Sequence, residues 1–470
     1  MNERSNPISP ERPMNQKSDQ QTGTELMEKI VSLSKRRGYV YQSSEIYGGL
    51  NGCWDYGPLG VELLRNIKDQ WWQAMTYRED VEGIDAAILM HPKVWEASGH
   101  VENFTDPMVD CRECKARFRA DQIEDAMCGS PAYKGRKAAK CQAEGKFTEA
   151  RQFNLMFKTF IGPVEDQGSA VFLRPETAQG IFVNFLNVQT ASRQKPPFGI
   201  TQIGKAFRNE INTKNFLFRT REFEQMEMQF FVKPGTDGEW FRYWKEERMQ
   251  WFLNLGMTKE KLQWHQHEPD KLAHYAKDAF DIEYRFPFGW GEIEGVHNRT
   301  DFDLSRHEQF SGKSMKYFDQ ESKEKYTPFI IETSAGASRS FMAFLVDAYR
   351  EEGAPDANGV METRVVLKLH RRLAPTKAAI FPLVNRDGMP EMAKTLEKEL
   401  RKYFRVFYDD SGAVGRRYRR QDEVGTPFCL TIDSQTLVDQ SVTVRDRDSM
   451  EQVRVSLDSV RAYLEKQLGS

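Results

Sequence analysis

Phe207-Arg208-Asn209-Glu210 is followed, after a polar loop, by Arg219-Thr220-Arg221-Glu222-Phe223 in this 470-residue chain. We predict a hairpin from these two runs, and side chains on its strands alternate between the two faces. Arg208 and Glu210 then share a face of the first strand. The second strand presents one charged face and one apolar face, formed respectively by Arg219, Arg221, Phe223, Gln225, Glu227 and Gln229, and by Met226, Met228 and Phe230. The apolar face can pack on a core, and the charged face is either a salt-bridged surface sheet or a functional site.

The overall charge argues against a protein that coats nucleic acid through bulk charge, because 67 Lys and Arg balance 69 Asp and Glu. Local basic patches remain compatible with RNA binding. No apolar run approaches the length of a membrane span. Residues 1–22 are polar and lack the apolar core of a signal peptide, so we predict a disordered tail there. Six cysteines without a dense framework favour a reducing cytoplasm.

The pattern of apolar residues divides the chain into two domains. Residues 23–373 form the larger one, with a short helix at 25–37 that ends at Gly38 and a long helix after Pro58. A strand is predicted at 84–90, ending at Pro92. Two segments are predicted to be insertions because they are rich in charge: 105–149, which holds four cysteines, and 259–277, which is predicted to be helical.

Residues 329–349 are predicted to pass from a strand into a helix, and residues 351–359 to form a surface loop. Ala374-Pro375 is the predicted hinge. Strands and helices alternate from there to the end of the chain, which predicts a small α/β domain over 374–470. Its strands are predicted at 378–384, 406–408, 428–432 and 442–444, and its helices at 389–404, 415–422 and within 449–468.

The spacing F-R-x-E, loop, R-x-x-x-F resembles the second signature motif of class II aminoacyl-tRNA synthetases. These enzymes join an amino acid carboxylate to the α-phosphate of ATP, so two anions must be brought together. The resemblance implies that Arg208 neutralises the growing charge on the α-phosphate. It implies that Glu210 holds the adenine edge or orients Arg208, that Phe223 stacks on adenine, and that Arg219 reaches the terminal phosphates.

The other two motifs of this class are also matched. The long helix after Pro58 and the strand ending at Pro92 resemble the first motif, which builds the dimer interface and so implies a homodimer. The segment 328–339 resembles the third motif, in which Arg339 at a helix start would hold the γ-phosphate. The chain departs from the usual pattern at Ser338, where an acid is typical, and at Thr333, where proline is more common.

Nearly the whole chain after the tail is similar to glycyl-tRNA synthetases of the homodimeric type. The strings that carry this resemblance are Ser44-Glu45-Ile46-Tyr47-Gly48-Gly49, Trp54-Asp55-Tyr56-Gly57-Pro58-Leu59-Gly60, His91-Pro92-Lys93-Val94-Trp95-Glu96-Ala97-Ser98-Gly99-His100, Arg174-Pro175-Glu176-Thr177-Ala178-Gln179-Gly180 and Arg417-Tyr418-Arg419-Arg420-Gln421-Asp422-Glu423-Val424-Gly425-Thr426-Pro427. It implies an α+β fold, with a class II antiparallel sheet flanked by helices and then an anticodon-binding domain. It also implies ATP with Mg²⁺, glycine and the glycine tRNA as partners.

The same resemblance assigns residues to each substrate. The ATP site comprises Arg208, Asn209, Glu210, Phe218, Arg219, Thr220, Arg221, Glu222, Phe223, Glu292, Ile293, Gly336, Ala337, Ser338 and Arg339, with Glu292 as a carrier of Mg²⁺ through the phosphates. The glycine site comprises Arg119, Glu176, Phe223, Glu224, Gln225, Met226, Glu227, Glu332, Thr333, Ser334, Ala335 and Gly336. Catalysis falls to Arg208, Glu210 and Arg339.

A pocket lined by several acids suits glycine, because its only polar groups are an ammonium and a carboxylate. Candidates for the ammonium are Glu176, Glu227, Glu292 and Glu294, with Ser334 beside them; by strand parity Glu292 and Glu294 share a face. Arg119 would close over the carboxylate. Larger amino acids are excluded sterically, so no editing domain is needed.

Two other functions remain open at this level. A threonyl or prolyl enzyme would share the class motifs, but the acid-rich pocket disfavours it. A catalytically inactive relative that serves as a binding subunit would be expected to lose Arg208, Glu210 or Arg339, and all three are present.

Two further clusters have ordinary as well as functional interpretations. Cys111-x-x-Cys114 is half of a zinc site, but Cys128 and Cys141 do not form a second pair at that spacing, so no metal ligand is predicted and structural zinc is not expected. The basic run of Arg416, Arg417, Arg419 and Arg420 is either a solvated helix face or, by the resemblance, an RNA contact.

Overall fold

The structure, a computed structural model, describes residues 16–124, 126–128, 136–213, 215–272, 276–355 and 359–469. Its strands, β1 to β23 in chain order, are Val40–Gln42, Trp54–Tyr56, Val81–Gly83, Thr105–Asp110, Arg117–Arg119, Arg151–Asn154, Lys158–Phe160, Ala170–Phe172, Phe198–Phe207, Glu222–Val232, Leu262–Gln266, Asp278–Phe286, Gly289–Thr300, Tyr317–Phe318, Lys325–Tyr326, Phe329–Gly336, Tyr349–Pro355, Met361–Leu367, Ala378–Pro382, Val406–Tyr408, Phe428–Ile432, Ser441–Asp446 and Gln452–Ser456. Its α-helices, α1 to α14, are Gln16–Arg37, Gly60–Thr76, Lys93–Ala97, His100–Asn103, Ala138–Ala143, Ala178–Val183, Phe185–Ala191, Asp237–Asn254, Phe302–Ser311, Ala337–Ala348, Met389–Leu400, Val414–Glu423, Thr436–Asp439 and Val460–Leu468. None of the helices in these ranges combines the length and the apolar character needed to cross a membrane.

A seven-stranded sheet forms the centre of the large domain, in the order β11-β12-β13-β16-β10-β9-β3. All neighbouring pairs are antiparallel except β3 and β9. Helices α2, α8 and α10 pack on one face, and α6, α7 and α9 pack on the other. The predicted antiparallel sheet with flanking helices is therefore confirmed.

Alternation along β10 places the core and the site on opposite faces. Met226, Met228 and Phe230 are fully buried in the core beneath α10, as predicted. Helix α2 covers the same core with apolar positions that recur at helical spacing, and burying these side chains supplies the main stabilising free energy of the element. These positions are Leu63, Leu64, Ile67, Trp71 and Met75.

Two predictions at the start of the chain need correction. Helix α1 begins at Gln16, so the predicted tail is wrong for residues 16–22; residues 1–15 lie outside the described range. The polar residues before Glu25 extend a helix that the buried Ile30 and Leu33 anchor. The predicted strand at 84–90 is also displaced, because pairing with β9 occurs at Val81–Gly83. Beyond it, the carbonyl of Ala86 accepts from the Arg174 side chain instead of from a neighbouring strand.

The segment 259–277 is not a helical insertion. Leu262–Gln266 is the edge strand of the central sheet, paired with β12, and only a single 3-10 turn precedes it. Leu262 and Trp264 alternate toward the core, a two-residue period that the charged composition obscured. Residues 273–275 lie outside the described range. The predicted loop at 351–359 likewise begins as β17, which pairs with β18.

The segment around 105–149 has a sheet of its own, in the order β5-β4-β6. Its small core contains Val109, Phe118 and Ile123 together with cysteines. Strand β6 ends at Asn154, so the paired unit extends beyond the predicted limit at 149. Residues 125 and 129–135 of this segment lie outside the described range.

The C-terminal domain contains a five-stranded sheet in the order β20-β19-β21-β22-β23. Strand β19 is parallel to β20 and β21, and the remaining pairs are antiparallel. The predicted alternation of strands and helices is confirmed. Strand β23 was not predicted, because it is an edge strand whose residues are mostly polar and exposed.

Candidate active site

Arg208 begins the loop that connects β9 to β10. Its guanidinium lies between two aromatic rings, 5.4 Å from the centroid of Phe104 and 5.3 Å from that of Phe223. Its Nε donates to the carbonyl of Pro175 at 3.0 Å. No described residue accepts a hydrogen bond from its two terminal nitrogens. A planar cation fixed in this way has free donors for an anionic ligand.

The predicted hairpin is formed by β9 and β10, but residues 208–210 and 219–221, which were predicted to be strand, belong to its loop. Arg219 faces Glu210, with 3.5 Å between Nε and Oε2. Arg221 instead braces the loop, donating to the carbonyl of Glu210 at 3.0 Å and to that of Asn51 at 2.6 Å. The predicted common face of Arg219 and Arg221 therefore does not exist, because alternation applies only within a strand.

Arg339 lies in the first turn of α10, directly after β16, as predicted. Its guanidinium carbon is 4.5 Å from the centroid of the Phe218 ring. Nη1 is 2.9 Å from a carboxylate oxygen of Glu292, and Nε donates to the carbonyl of Phe218 at 3.1 Å. The arginine, the ring and the acid thus form one wall of a pocket.

Gly336 and Ser338 begin the same helix. A Cβ at Gly336 would meet the Arg339 side chain at 3.4 Å, so the glycine keeps the arginine close to the strand end. Ser338, which stands where an acid is typical of the class, accepts a hydrogen bond of 3.0 Å from the Tyr56 hydroxyl. Ala337 is buried in the core.

These residues enclose a single pocket together with the start of β10. The residues that line it are Arg208, Glu210, Leu217, Phe218, Arg219, Thr220, Phe223, Glu224, Gln225, Glu292, Ser334, Gly336, Ser338 and Arg339. Most of the predicted ATP residues are present in this set. Glu222 points away and pairs with Lys205, and the main-chain N–H of Asn209 donates to the carbonyl of Leu155 at 2.7 Å.

Gln225 and Ser334 lead from this pocket to a group of buried acids. Ser334 is the cross-strand neighbour of Glu227, which is 2 % exposed. The Thr177 hydroxyl is hydrogen bonded to the Glu227 carboxyl group. Burial, followed by the negative charges of Glu332 and Glu176, raises the pKa of Glu227 to about 8. Glu227 has hydroxyl neighbours and no ion pair within 4 Å among the described residues, although the charge of Arg174 lies near enough to act on it.

Glu176 has a histidine within reach. His100 Nε2 lies 3.3 Å from one carboxylate oxygen, and Gln179 donates to the other at 3.0 Å. Burial opposes ionisation, but His100 and Arg299 hold the pKa of Glu176 well below its usual range. The acid is therefore a fixed negative charge beside Glu227.

Glu332 is held by several donors behind the pocket. His297 Nδ1 is 2.7 Å from Oε1, Gln229 donates to Oε2 at 2.7 Å, and Arg299 donates to both oxygens at 3.2 and 3.1 Å. Burial opposes ionisation, yet Arg299 and His297 lower the pKa of Glu332 to about 2. Both oxygens are already engaged within the protein.

Glu294 is not part of the pocket, so the prediction that it binds the ammonium of glycine is wrong. It is fully buried and paired with Arg248 on α8, with 2.6 Å between Nε and Oε1. The pairing of β12 with β13 shifts between Ile282 and Glu283, and this bulge places Glu292 and Glu294 on opposite faces. Ile293, assigned to ATP, has its side chain in the core.

Several residues assigned to glycine have side chains that point away from the acid group. Met226 and Ala335 are buried in the core, and Thr333 alternates onto the same face of the sheet. Glu224 lines the ATP pocket but is paired with Lys68 on α2 at 3.0 Å. These contacts restrict the candidate glycine ligands to the opposite face of β10 and β16.

Arg119 lies on β5 of the separate small sheet. It pairs with Asp106 at 2.9 Å and with Asp121 at 2.8 Å. The charge of Glu210 also acts on Arg119, and that of Arg219 acts on Asp106, so this sheet faces the Arg208–Arg221 loop. The structure thus brings Arg119 toward the pocket, already neutralised by two acids.

Sequence reasoning missed four residues that build this site: Tyr56, Phe104, His297 and Arg299. Tyr56 lies within one of the matching strings, but its contact with Ser338 crosses 282 positions of sequence. His297 and Arg299 share a face of β13 with each other, which a search for paired polar positions on that strand would have indicated. Phe104 carries no signal in the sequence.

The four cysteines of the small sheet come together, although the sequence spacing did not pair them. Cys111 and Cys141 are buried, and Cys114 and Cys128 pack against them. The Cys114 amide donates to the Cys111 sulfur at 3.5 Å. Across the described ranges, no group of three or more His, Cys, Asp or Glu residues is arranged to hold a metal ion.

The basic run on α12 divides into different roles. Arg417 is 2 % exposed and donates to several main-chain carbonyls, including that of Gly412 at 2.9 Å. Arg420 pairs with Asp409, and Arg419 donates to the carbonyl of Pro355 at 3.0 Å. Arg416 is exposed, and no described side chain or carbonyl accepts from its guanidinium. Only part of the run can therefore face RNA.

Comparison with known proteins identifies the family. Residues 157–349 match the tRNA synthetase class II core domain (G, H, P, S and T). The chain is 59 % identical to the glycine–tRNA ligase of Treponema denticola over 431 residues, which cover 91 % of this chain and 94 % of the relative. This chain belongs to the glycine–tRNA ligases. The corresponding enzymes of Borreliella burgdorferi and Thermobifida fusca are 55 % and 54 % identical and cover 94 % and 95 % of this chain, and 97 % and 98 % of those relatives.

The activity follows from this membership. The enzyme activates glycine with ATP and attaches it to the glycine tRNA, as the class II core and the ligase relatives establish. Residues 377–467 match the anticodon binding domain, so the C-terminal domain binds tRNA. The threonyl and prolyl alternatives and the inactive binding subunit are thereby excluded.

Proposed function

We propose that glycyl-adenylate forms where the pocket around Arg208 meets the buried acids Glu176 and Glu227. The position of Arg208 carries this proposal: two rings and one carbonyl fix its guanidinium, and its terminal nitrogens have no described acceptor. Such a cation can meet both the α-phosphate and the carboxylate that attacks it.

ATP binds along the pocket wall in this proposal. Adenine stacks on the face of Phe223, and Glu210 contacts its edge. Arg219 reaches the terminal phosphates from the loop. The remaining ATP ligands are the residues assigned above that line the pocket, with Thr220, Gly336 and Ser338 closing its floor.

The ammonium of glycine binds at Glu227, with Glu176 and Ser334 beside it. Among the three buried acids, Glu227 is the one whose described neighbours are hydroxyl groups, so a ligand cation supplies its counter-charge. A proton leaves Glu227 as the ammonium enters. Larger amino acids are excluded from this end by steric overlap in the proposed site.

The reaction then proceeds in two balanced steps. A glycine carboxylate oxygen attacks the α-phosphorus, the bond from that phosphorus to the bridging oxygen breaks, and pyrophosphate leaves. A hydroxyl at the 3′ end of the tRNA next attacks the glycyl carbonyl, and AMP leaves. Arg208 neutralises charge in the first step, and Arg339 holds the γ-phosphate.

Mg²⁺ fits the carboxylate of Glu292, which is exposed and already within 2.9 Å of Arg339 at the phosphate wall. One protein carboxylate is sufficient, because Mg²⁺ binds mainly to substrate phosphates and water in such sites. The ion would neutralise phosphate charge there.

The enzyme is proposed to act as a homodimer in the cytoplasm, with a catalytic domain over 23–373 and an anticodon-binding domain over 374–470. Ile46 and Tyr47 are each 87 % exposed, which supports an interface beside the elements of the first motif. All six cysteines are free, in keeping with a reducing compartment. Sedimentation should give twice the 54.6 kDa of the chain; a monomer would overturn the dimer.

Exchange of radioactive pyrophosphate into ATP tests the site. It should require glycine, and Arg208→Ala should reduce it by about 100-fold or more while the oligomeric state stays unchanged. Lys205→Ala, which removes an exposed cation outside the acid group, serves as the matched control. Full exchange in Arg208→Ala, or equal loss in both variants, would overturn the role given to Arg208.

A further inference from the structure

We propose that His297 is a positioning residue for glycine, which holds Glu332 as a fixed negative charge and so reserves Glu227 for the substrate ammonium. This inference rests on the proposed glycine site and adds to it a residue that does not touch the substrate. The supporting observations are the register of three strands, a glycine that makes room for the ring, and the charges that face it.

Register brings His297 and Glu332 together. They are cross-strand partners on β13 and β16, with 2.7 Å between Nδ1 and Oε1. On the other side of β13, Asp281 is the cross-strand neighbour of Gly295. A Cβ at Gly295 would lie 2.9 Å from Nε2 and Cε1 of His297. The absent side chain therefore leaves the space that the imidazole occupies.

The groups that face His297 come from three neighbouring elements. Glu332 lies on β16, and Asp281 on β12 has an oxygen 3.9 Å from Nε2. His267 follows the edge strand and contacts the other oxygen of Asp281 at 2.8 Å. Arg299 shares the strand with His297 and links Glu332 to Asp303 on α9. Two acids thus flank the imidazole directly.

These contacts favour a charged imidazole. Burial alone would lower the pKa of His297, but the adjacent carboxylates of Asp281 and Glu332 raise it to about 9. His297 and Arg299 together keep Glu332 ionised, and the charge of Glu332 is one of the causes that keep a proton on Glu227 in the empty site. Glu332 cannot itself turn to the ligand, because both of its oxygens accept hydrogen bonds from the protein.

Replacing His297 with Gln removes a positive charge and leaves a hydrogen-bonding side chain. Glu176, Glu227 and Glu332 then bind protons more tightly. The proton on Glu227 therefore persists to a higher pH, and glycine must displace it there. We expect the glycine KM at neutral pH to rise about tenfold, while the ATP KM stays within about twofold. The pH midpoint of the glycine KM should move upward by about half a unit or more.

The experiment is glycine-dependent pyrophosphate exchange by the full-length enzyme between pH 6 and 8.5, for native protein, His297→Gln and His297→Lys. The lysine variant keeps the charge, so its pH midpoint should stay near the native value even if packing raises both KM values. His265→Gln, which removes an exposed histidine from the same edge of the sheet, is the matched control. It should be indistinguishable from native enzyme.

Unchanged glycine kinetics in His297→Gln would overturn the inference. So would equal increases in the glycine and ATP KM values with an unmoved midpoint, which is the signature of a packing defect, or a midpoint that moves equally in His297→Lys. The variant Glu227→Gln tests the proposed glycine site independently of His297. If that variant retains native glycine affinity, the proposed site fails, whatever His297 does.

Discussion

The Tyr56 hydroxyl donates a hydrogen bond of 3.0 Å to the Ser338 hydroxyl, and so joins β2 to the first turn of α10. Ser338 lies one residue before Arg339, at the position where an acidic residue is typical of the class. A tyrosine from a distant strand therefore supports the helix start that carries Arg339, the proposed γ-phosphate ligand. Burial raises the pKa of Tyr56 well above its ordinary value, so it remains a donor at all working pH values.

Tyr56→Phe should weaken ATP binding without affecting glycine. Loss of this bond leaves the buried Ser338 hydroxyl without the Tyr56 donor and costs about 1 kcal/mol. We expect the ATP KM to rise about threefold to tenfold and the glycine KM to stay within about twofold. Steady-state kinetics with each substrate varied in turn provides the measurement. A selective change in the glycine KM would contradict this assignment.

Glycine affinity should rise with pH. The empty site holds a proton on Glu227, whose pKa is about 8, and the incoming ammonium must displace it. The glycine KM should therefore fall by up to about tenfold per pH unit between pH 6 and 8. Glu227→Gln should bind glycine weakly and lose this dependence. A native KM that is constant across this range would disprove the proton exchange.

Glu227 should also make the stability of the unliganded enzyme depend on pH. Its pKa rises from the ordinary 4.5 to about 8 on folding, so between these values the folded chain keeps a proton that the unfolded chain has lost. This contribution to stability therefore decreases as pH rises through that window. Thermal scans should show that glycine stabilises the enzyme more at pH 8 than at pH 6. Glu227→Gln should remove the difference.

The buried pair of Glu294 and Arg248 should be structural. Glu294→Leu leaves the Arg248 charge buried without its partner and should cost about 3–5 kcal/mol. The double variant Glu294→Leu, Arg248→Met should recover most of that loss. Glycine KM should stay within about twofold in the double variant, measured by pyrophosphate exchange. A selective loss of glycine affinity would restore Glu294 as a ligand.

Arg416 and Arg417 should differ in their effect on tRNA. Arg416→Ala removes an exposed cation and should raise the tRNA KM about threefold to tenfold, with an unchanged melting temperature. Arg417→Ala removes a buried side chain that donates to the carbonyls of Gly412 and Pro382, so it should lower the melting temperature instead. Aminoacylation kinetics and thermal scans on the two variants distinguish these outcomes. A reversed pattern would show that Arg417 is the RNA contact.

The large features of the fold were predictable because they depend on short-range periodicity. The apolar positions of α2 recur at helical spacing, and Met226 and Met228 alternate along β10. The helical insertion predicted at 259–277 was wrong because the periodicity of that segment is short. Its charged composition outweighed a five-residue alternation whose meaning depends on pairing with β12.

The sequence by itself indicated the class of the enzyme, most of its long helices and strands, and the candidate residues Arg208, Glu227 and Arg339, since these depend on local motifs and short-range periodicity. Only the tertiary structure decided which charges face a substrate. The β12–β13 bulge turned Glu294 into the core, and cross-strand register placed His297 on Glu332. Burial and the nearest counter-charge determine the state of a carboxylate, and both come from segments distant in the chain.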